Sequence, residues 1–211
     1  MAEIILTPLV DILDILGVAI FALSGALLAA KERQTFVTMV FFALITGVGG
    51  GTVRDLLIDA PVFWINDPWV AAVCLGIALA AWFVPTQRYD GRLLDYADGL
   101  GLAAYAVLGA VKSLSYGIPP VPAFLMGVIT GCVGGIIRDV IAGRPSILMR
   151  HELYVTAAAL AAALAVGGTM LDLPSPVVWT VAAVAGFVLR AAAIRFGLSL
   201  PAYRYTSDSK G

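Results

Sequence analysis

The sequence predicts an all-α membrane protein of seven transmembrane helices. Six form a 3+3 inverted repeat and the seventh follows at the C-terminal end. Three observations carry this. First, the chain of 211 residues is 61% hydrophobic and only 13% charged, with a mean hydropathy of +0.96, where a soluble domain has about 45–50% apolar and 25% charged residues. Second, seven apolar runs each approach the roughly 20 residues a helix needs to cross a bilayer. Third, the chain matches itself without a gap when shifted by 84 residues.

The runs lie at 8–30, 35–58, 68–85, 94–114, 120–142, 152–171 and 175–197. Polar or Pro/Gly-rich joints separate them: KERQ, DAPVFWINDP, PTQRYDGRLLD, YGIPPVP, AGRPSILMRHE and LDLPSP. No joint is long enough for a second domain, so one membrane domain is expected over 1–211. Within it, repeat A covers 8–85 and repeat B 92–171, followed by the seventh helix at 175–197 and a tail at 198–211. Trp64, Trp69, Tyr116 and Trp179 fall near span ends, where an aromatic belt places such rings. The N-terminus carries acids where a secretory signal carries lysines, so cleavage is not expected. Cys74 and Cys132 sit in apolar runs and read as small buried side chains.

With seven spans the termini lie on opposite sides. Lys31, Arg33, Arg88, Arg92, Arg144, Arg150, Arg190, Arg195, Arg204 and Lys210 fall on one side and Lys112 alone on the other, with Arg54 and Arg138 set aside because they lie within spans. The positive-inside rule then puts the N-terminus outside and the C-terminus in the cytoplasm, with a bacterial inner membrane as the expected location.

In the repeat, Asp11 falls on Asp95, Asp14 on Asp98, Gly17 on Gly101 and Gly25 on Gly109. Thr46 falls on Thr130, Gly50 and Gly51 on Gly134 and Gly135, Arg54 and Asp55 on Arg138 and Asp139, and Pro61 on Pro145. Three spans per copy is an odd number, so the copies enter the membrane from opposite sides. Inverted repeats place functional sites near the midplane, on interrupted helices. The glycines Gly49 to Gly51 and Gly134 to Gly135 are the expected kinks in helices 2 and 5. Bare carbonyls there, near Gly50 and Gly134, are ligands for a weakly held monovalent cation, and the Thr46 and Thr130 hydroxyls add oxygens. The competing reading is close helix packing, because Gly47-x-x-x-Gly51 and Gly131-x-x-x-Gly135 fit the small-xxx-small pattern.

Arg54 and Asp55 are neighbours in sequence and are not expected to face each other on a helix. Arg54 is therefore expected to pair with Asp11 or Asp14, and Arg138 with Asp95 or Asp98; the alternative is snorkelling to headgroups. Lys112 has Leu28 as its counterpart and breaks the symmetry, as a mobile gate or as an ordinary interfacial lysine. Ser24, Tyr105, Ser113 and Ser115 line the path or bond to backbone. His151, the one histidine, reads as interfacial. The chain has no HExxH and no Ser-His pairing, so no enzyme is expected, nor any cofactor beyond K⁺ or Na⁺ as permeant ion. The basic loops are explained by topology, and nucleic acid is not an expected partner.

The runs FALSGALLAAKE, GGGTVRDLL, PVFWINDP and GGIIRDVIAGRP together resemble the bacterial UPF0126 family, which includes the prokaryotic trimeric intracellular cation (TRIC) channels. The resemblance spans residues 8–197. It implies a seven-helix protomer, a homotrimer in lipid, and a pore in each protomer around helices 2 and 5 that passes K⁺ and, less selectively, Na⁺. Gly49, Gly50, Gly51, Gly134 and Gly135 then become kink and pore positions. Val133 stands where Gly49 stands in the first copy, so the halves are not equivalent. The Lys-Glu-Val motif of the animal members is absent. The rival reading in this family is a secondary transporter of a small amino acid such as glycine.

Overall fold

The structure, a computed structural model, describes residues 2–84, 91–149 and 152–201, with backbone alone at 2–13 and 91. Asp11, Arg88, Arg150, His151, Arg204 and Lys210 thus lie outside the residues whose side chains are described.

Among the described residues seven α-helices follow one another: α1 (Ala2–Lys31), α2 (Phe36–Leu57), α3 (Pro68–Trp82), α4 (Gly91–Ser115), α5 (Pro120–Ile141), α6 (Val155–Met170) and α7 (Ser175–Phe196). A short 3₁₀ turn, η1 (Ile147–Met149), lies between α5 and α6. The helix ends follow local chemistry. Thr35 caps α2 by accepting from the Thr38 amide, and Asp67 caps α3 by accepting from the Trp69 amide, the usual role of a short oxygen-bearing side chain at a helix start. Proline opens α3, α5 and α7, where its missing N–H has no helical partner to lose. Gly197 ends α7 with φ +66°.

Of the seven expected spans, five helices among the described residues are long and apolar enough to cross a membrane: α1 from Asp14, α2, α4 from Arg92, α5 and α7. The other two, α3 with 15 residues and α6 with 16, are the third helix of each copy. At about 1.5 Å rise per residue they fall short of a 30 Å hydrocarbon layer.

The inverted repeat extends into the loops. The amide of Gln34 donates to the Ala29 carbonyl, and the amide of its counterpart Ile118 donates to Ser113. Ala60 donates to Asp55, and its counterpart Arg144 to Asp139. Left-handed backbone recurs at matched positions: Arg33 with Gly117, and Asp59 with Gly143. Two buried apolar clusters form, one centred on α1–α3 and one on α4–α7. The helices interlock across the copies, α1 against α4 and α2 against α5. Trp179 is buried against α4 and α6 rather than standing at a membrane surface, whereas Trp69 is 69% exposed.

Candidate functional site

Near the middle of the bundle α2 crosses α5 with backbones in contact. A methyl group on Gly50 would collide with the Thr130 carbonyl, and one on Gly134 would lie 2.6 Å from the Thr46 carbonyl oxygen. These two contacts are images of each other in the repeat. Gly25 likewise packs on Phe42 and Thr46, and its counterpart Gly109 on Met126 and Thr130. Both helices run unbroken through their glycines, so the backbone is not unwound there. At Gly50 and Gly134 backbone meets backbone, which is how small residues let membrane helices approach. The Thr130 hydroxyl donates to Met126 at 2.6 Å, while Thr46 Oγ1 is buried without a partner. Beside the crossing the Phe21 and Tyr105 rings, also matched by the repeat, lie 5.2 Å apart.

A charged half-site closes each end of this crossing. At the end of α2, Arg54 is fully buried. Its Nη1 lies 3.3 Å from Asp14 Oδ1, and its Nε donates to Asp55 Oδ1 at 2.8 Å. The other Asp55 oxygen accepts from the Phe63 amide at 3.0 Å. At the end of α5 the pattern repeats. Arg138 Nη1 is 2.6 Å from Asp98 Oδ1, its Nε donates to Asp139 Oδ1 at 2.9 Å, and Asp139 Oδ2 accepts from the Ile147 amide at 3.0 Å.

Arg54 therefore pairs with Asp14 and Arg138 with Asp98, among the partners expected for each. Both guanidinium groups are too deeply buried to snorkel. The expectation that Arg54 would not meet Asp55, nor Arg138 meet Asp139, is corrected. Adjacent Cβ atoms point apart on a helix, but an arginine side chain is long enough to fold back. Each aspartate is turned towards it by a backbone amide of the following loop. Asp95 is half-buried one turn before Asp98.

The half-sites differ in what surrounds the shared core. Lys112 reaches the Arg54 half-site, with Nζ 3.0 Å from Asp55 and 3.9 Å from Asp14. The Phe63 ring covers Arg54 and Lys112, 5.8 Å from each, and occupies the space beside Gly51. In the Arg138 half-site Ser24 bonds to Arg138 and lies 3.4 Å from Asp98. Tyr154 fills the space beside Gly135. Tyr105 donates from its hydroxyl to the Gly47 and Asp14 carbonyls. Ser113 and Ser115 bond to their own helix backbone.

Arg190, counted in the sequence among the basic residues of one membrane side, is fully buried in α7, ion-paired with Glu152 at 2.7 Å and 5.3 Å over the Tyr154 ring. Its position five residues before the next arginine, near a helix end, gave no signal of a buried partner. Cys74 and Cys132 are free and buried.

The glycine-transporter family model matches the chain twice, over residues 11–86 and 95–170. The two matches are offset by the same 84 residues as the internal repeat. A UPF0126 membrane protein of Vibrio cholerae is 35% identical over 95% of this chain and 85% of its own length. The chain belongs to the UPF0126 family. Another UPF0126 relative, the inner membrane protein YadS of Escherichia coli K12, is 37% identical over 94% of this chain and 98% of its own. Among solved structures, the UPF0126 fold described above is similar to that of a TRIC trimeric intracellular cation channel orthologue from Rhodobacter sphaeroides. The TM-score is 0.84 at 39% identity, over 90% of this chain and 99% of that one. A prokaryotic TRIC channel crystallised in 0.5 M KCl also superposes with TM-score 0.84, at 26% identity over 92% and 100% of the two chains.

Proposed function

We propose that this protein is a passive monovalent cation channel of the bacterial inner membrane, conducting K⁺ and more weakly Na⁺ through a pore within each protomer of a homotrimer. The observation that carries the reading is the likeness, over nearly the whole of both chains, to the TRIC channel orthologue. The internal geometry supports it. A pathway between α2 and α5 runs past Thr46, Gly49, Gly50, Gly51, Thr130, Gly134 and Gly135, with a charged half-site at each end. The Gly50–Thr130 and Gly134–Thr46 contacts shut it, so conduction requires α2 and α5 to part at their crossing. The Thr46 and Thr130 carbonyls are then the oxygens an ion meets first. Asp14, Arg54, Asp55 and Lys112 face the outside, and Asp98, Arg138 and Asp139 face the cytoplasm. That orientation follows the basic residues: Lys31, Arg33, Arg92, Arg144 and Arg195 on the second side against Lys112 on the first.

Single-channel recording of the purified protein in a planar bilayer under a K⁺ gradient tests this, with glycine added as control. Discrete cation-selective openings indifferent to glycine are expected. A silent bilayer together with saturable glycine uptake in liposomes would replace the channel by a carrier.

A further inference from the structure

Towards the side that bears Lys31, Arg33 and Arg144, the two helices of the central crossing are joined by one further contact. Gly50 meets Thr130 and Gly134 meets Thr46, so α2 and α5 run antiparallel, and the first half of α2 lies along the last turns of α5. Ala142, just past α5, packs on the cluster that holds Met39 and Phe42 of α2. Two residues further on, Arg144 Nη2 forms an ion pair with Glu32 Oε1 in the turn between α1 and α2. Glu32 is four residues before Phe36, where α2 starts, and Arg144 is three beyond Ile141, where α5 ends. Although Lys31 and Arg33 flank it in the chain, Glu32 reaches across to the other repeat. The pair therefore clamps together the neighbouring ends of the two helices that cross at Gly50 and Gly134.

The repeat shows this clamp to be an addition to a shared scaffold. The Arg144 amide donates to the Asp139 carbonyl, and the Gln34 amide to the Ala29 carbonyl, each at 2.9 Å; the Gln34 side chain also donates to the Glu32 carbonyl at 3.2 Å. The same turns close at the opposite membrane side, where Ala60 donates to Asp55 and Ile118 to Ser113. There, however, the counterparts of Glu32 and Arg144 are Tyr116 and Ala60, which carry no charge at neutral pH. That side has the Lys112 ammonium instead, tied to Asp55 and Asp14. The two closures differ in their contact with water. The Lys112 side chain is 12% exposed, whereas those of Arg144 and Glu32 are 30% and 38% exposed. Salt screens exposed charges over a distance of about 8–10 Å at physiological strength and reaches buried ones far less.

We propose that Glu32 and Arg144 form a latch that holds α2 and α5 together at the cytoplasmic end, breaks when the helices part, and loosens as ionic strength rises on that side. The latch presupposes the reading in which conduction separates α2 from α5 at their crossing. An exposed ion pair biases such a two-state equilibrium by about 1.4–5-fold. The latch therefore tunes the closed state, while the backbone contacts at Gly50 and Gly134 define it.

The test is single-channel recording of the full-length protein in a planar bilayer, with N-methyl-D-glucamine chloride added on the cytoplasmic side to raise ionic strength. Glu32→Gln and Arg144→Gln should each raise the ratio of open to closed time about 1.4–5-fold. The double variant should gain no more than either single one, because both remove the same contact. Glu32→Arg combined with Arg144→Glu should return the ratio to that of the parent. Added salt should raise the ratio in the parent and leave Glu32→Gln unmoved. A second readout needs no current. Thr46→Cys, in a chain with Cys74→Ala and Cys132→Ala, puts a thiol at the buried crossing, where alkylation requires the helices to part. Adding Glu32→Gln to that chain should speed alkylation by the same factor. Effects that add in the double variant, a swapped pair that fails to restore the ratio, or a ratio and an alkylation rate that ignore both substitutions would each overturn the latch. A conducting protein indifferent to both substitutions rejects the latch and keeps the channel. A silent protein whose alkylation follows Glu32→Gln keeps the latch and rejects the channel.

Discussion

Alanine at Gly50 or Gly134 forces apart the two helices that cross at the centre of the bundle. At Gly134 the new Cβ would lie 2.6 Å from the Thr46 carbonyl oxygen, where a carbon normally approaches a carbonyl oxygen to about 3.3–3.6 Å. The helices must therefore separate locally by roughly 0.7–1.0 Å. At Gly50 the clash with the Thr130 carbonyl is closer still, with the carbonyl carbon at 3.1 Å. The obstacle at both positions is backbone, which has no rotamer to change. Overpacking of this kind costs about 1–3 kcal/mol. Alanine also gains about 0.8–1.0 kcal/mol in helix propensity over glycine, so the proper reference is a glycine whose replacement meets nothing. Gly76 in α3 is one: no atom lies within 4 Å of its would-be Cβ. Against Gly76→Ala, where propensity cancels, Gly50→Ala and Gly134→Ala should melt lower by the overpacking cost, roughly 2–12 °C for a chain of this size. Gly49→Ala should stay near the reference, because its first contact is the terminal methyl of Ile137 at 2.9 Å, which can turn away. Thermal melts of the four variants in one detergent decide it. If Gly50→Ala and Gly134→Ala melt with or above Gly76→Ala, the crossing is not close-packed and the reasoning fails.

Arg33 and Asp59 hold left-handed backbone, φ 54° and 55°, where the matched positions Gly117 and Gly143 hold glycine. Arg33→Gly should raise stability by about 1 kcal/mol and Asp59→Gly by less, since aspartate tolerates that region better; both are read by thermal melting. Arg54→Met leaves Asp14 and Asp55 buried with Lys112 alone and should cost about 3–5 kcal/mol, seen as loss of the monodisperse peak in size-exclusion chromatography. Tyr105→Phe installs the ring that the first copy carries at Phe21 and removes only the hydroxyl that donates to Gly47 and Asp14; a cost of about 0.5–1.5 kcal/mol is expected in the same melts.

Much of this arrangement was legible in the sequence because the chain contains its own comparison. A self-match at one offset identified the residues with a shared role, and it narrowed the partners of Arg54 to Asp11 or Asp14 and those of Arg138 to Asp95 or Asp98, of which Asp14 and Asp98 make the contacts. What it missed has physical causes. The Arg54–Asp55 contact escaped because face-of-helix rules follow Cβ directions, whereas the Phe63 amide and a long flexible side chain decide the outcome. The Arg190–Glu152 pair escaped because it lies partly outside the repeat, where only hydropathy speaks, and an arginine near a helix end reads as interfacial. The glycine clusters were legible as a pair, but sequence alone could not choose between an unwound segment and a backbone crossing. That choice depends on whether the Thr46 and Thr130 carbonyls sit against the opposite helix, which they do. The shortness of α3 and α6 escaped because apolar loop residues extend each run beyond the helix.

The interlock of the two copies has a consequence for how the chain is made. Repeat A carries Asp14, Arg54 and Asp55, but the ammonium that balances them belongs to Lys112 on α4, and the hydroxyl that ties α1 to α2 belongs to Tyr105. Repeat B carries Asp98 and Arg138, but Ser24, which bonds to that arginine, comes from α1. The ribosome delivers repeat A first. Until α4 has entered the bilayer, the first half holds an excess negative charge and an α2 face of bare glycine with nothing to rest upon. Neither half is a smaller version of the whole, and a translation arrest between them would leave a fragment that cannot complete its own interior.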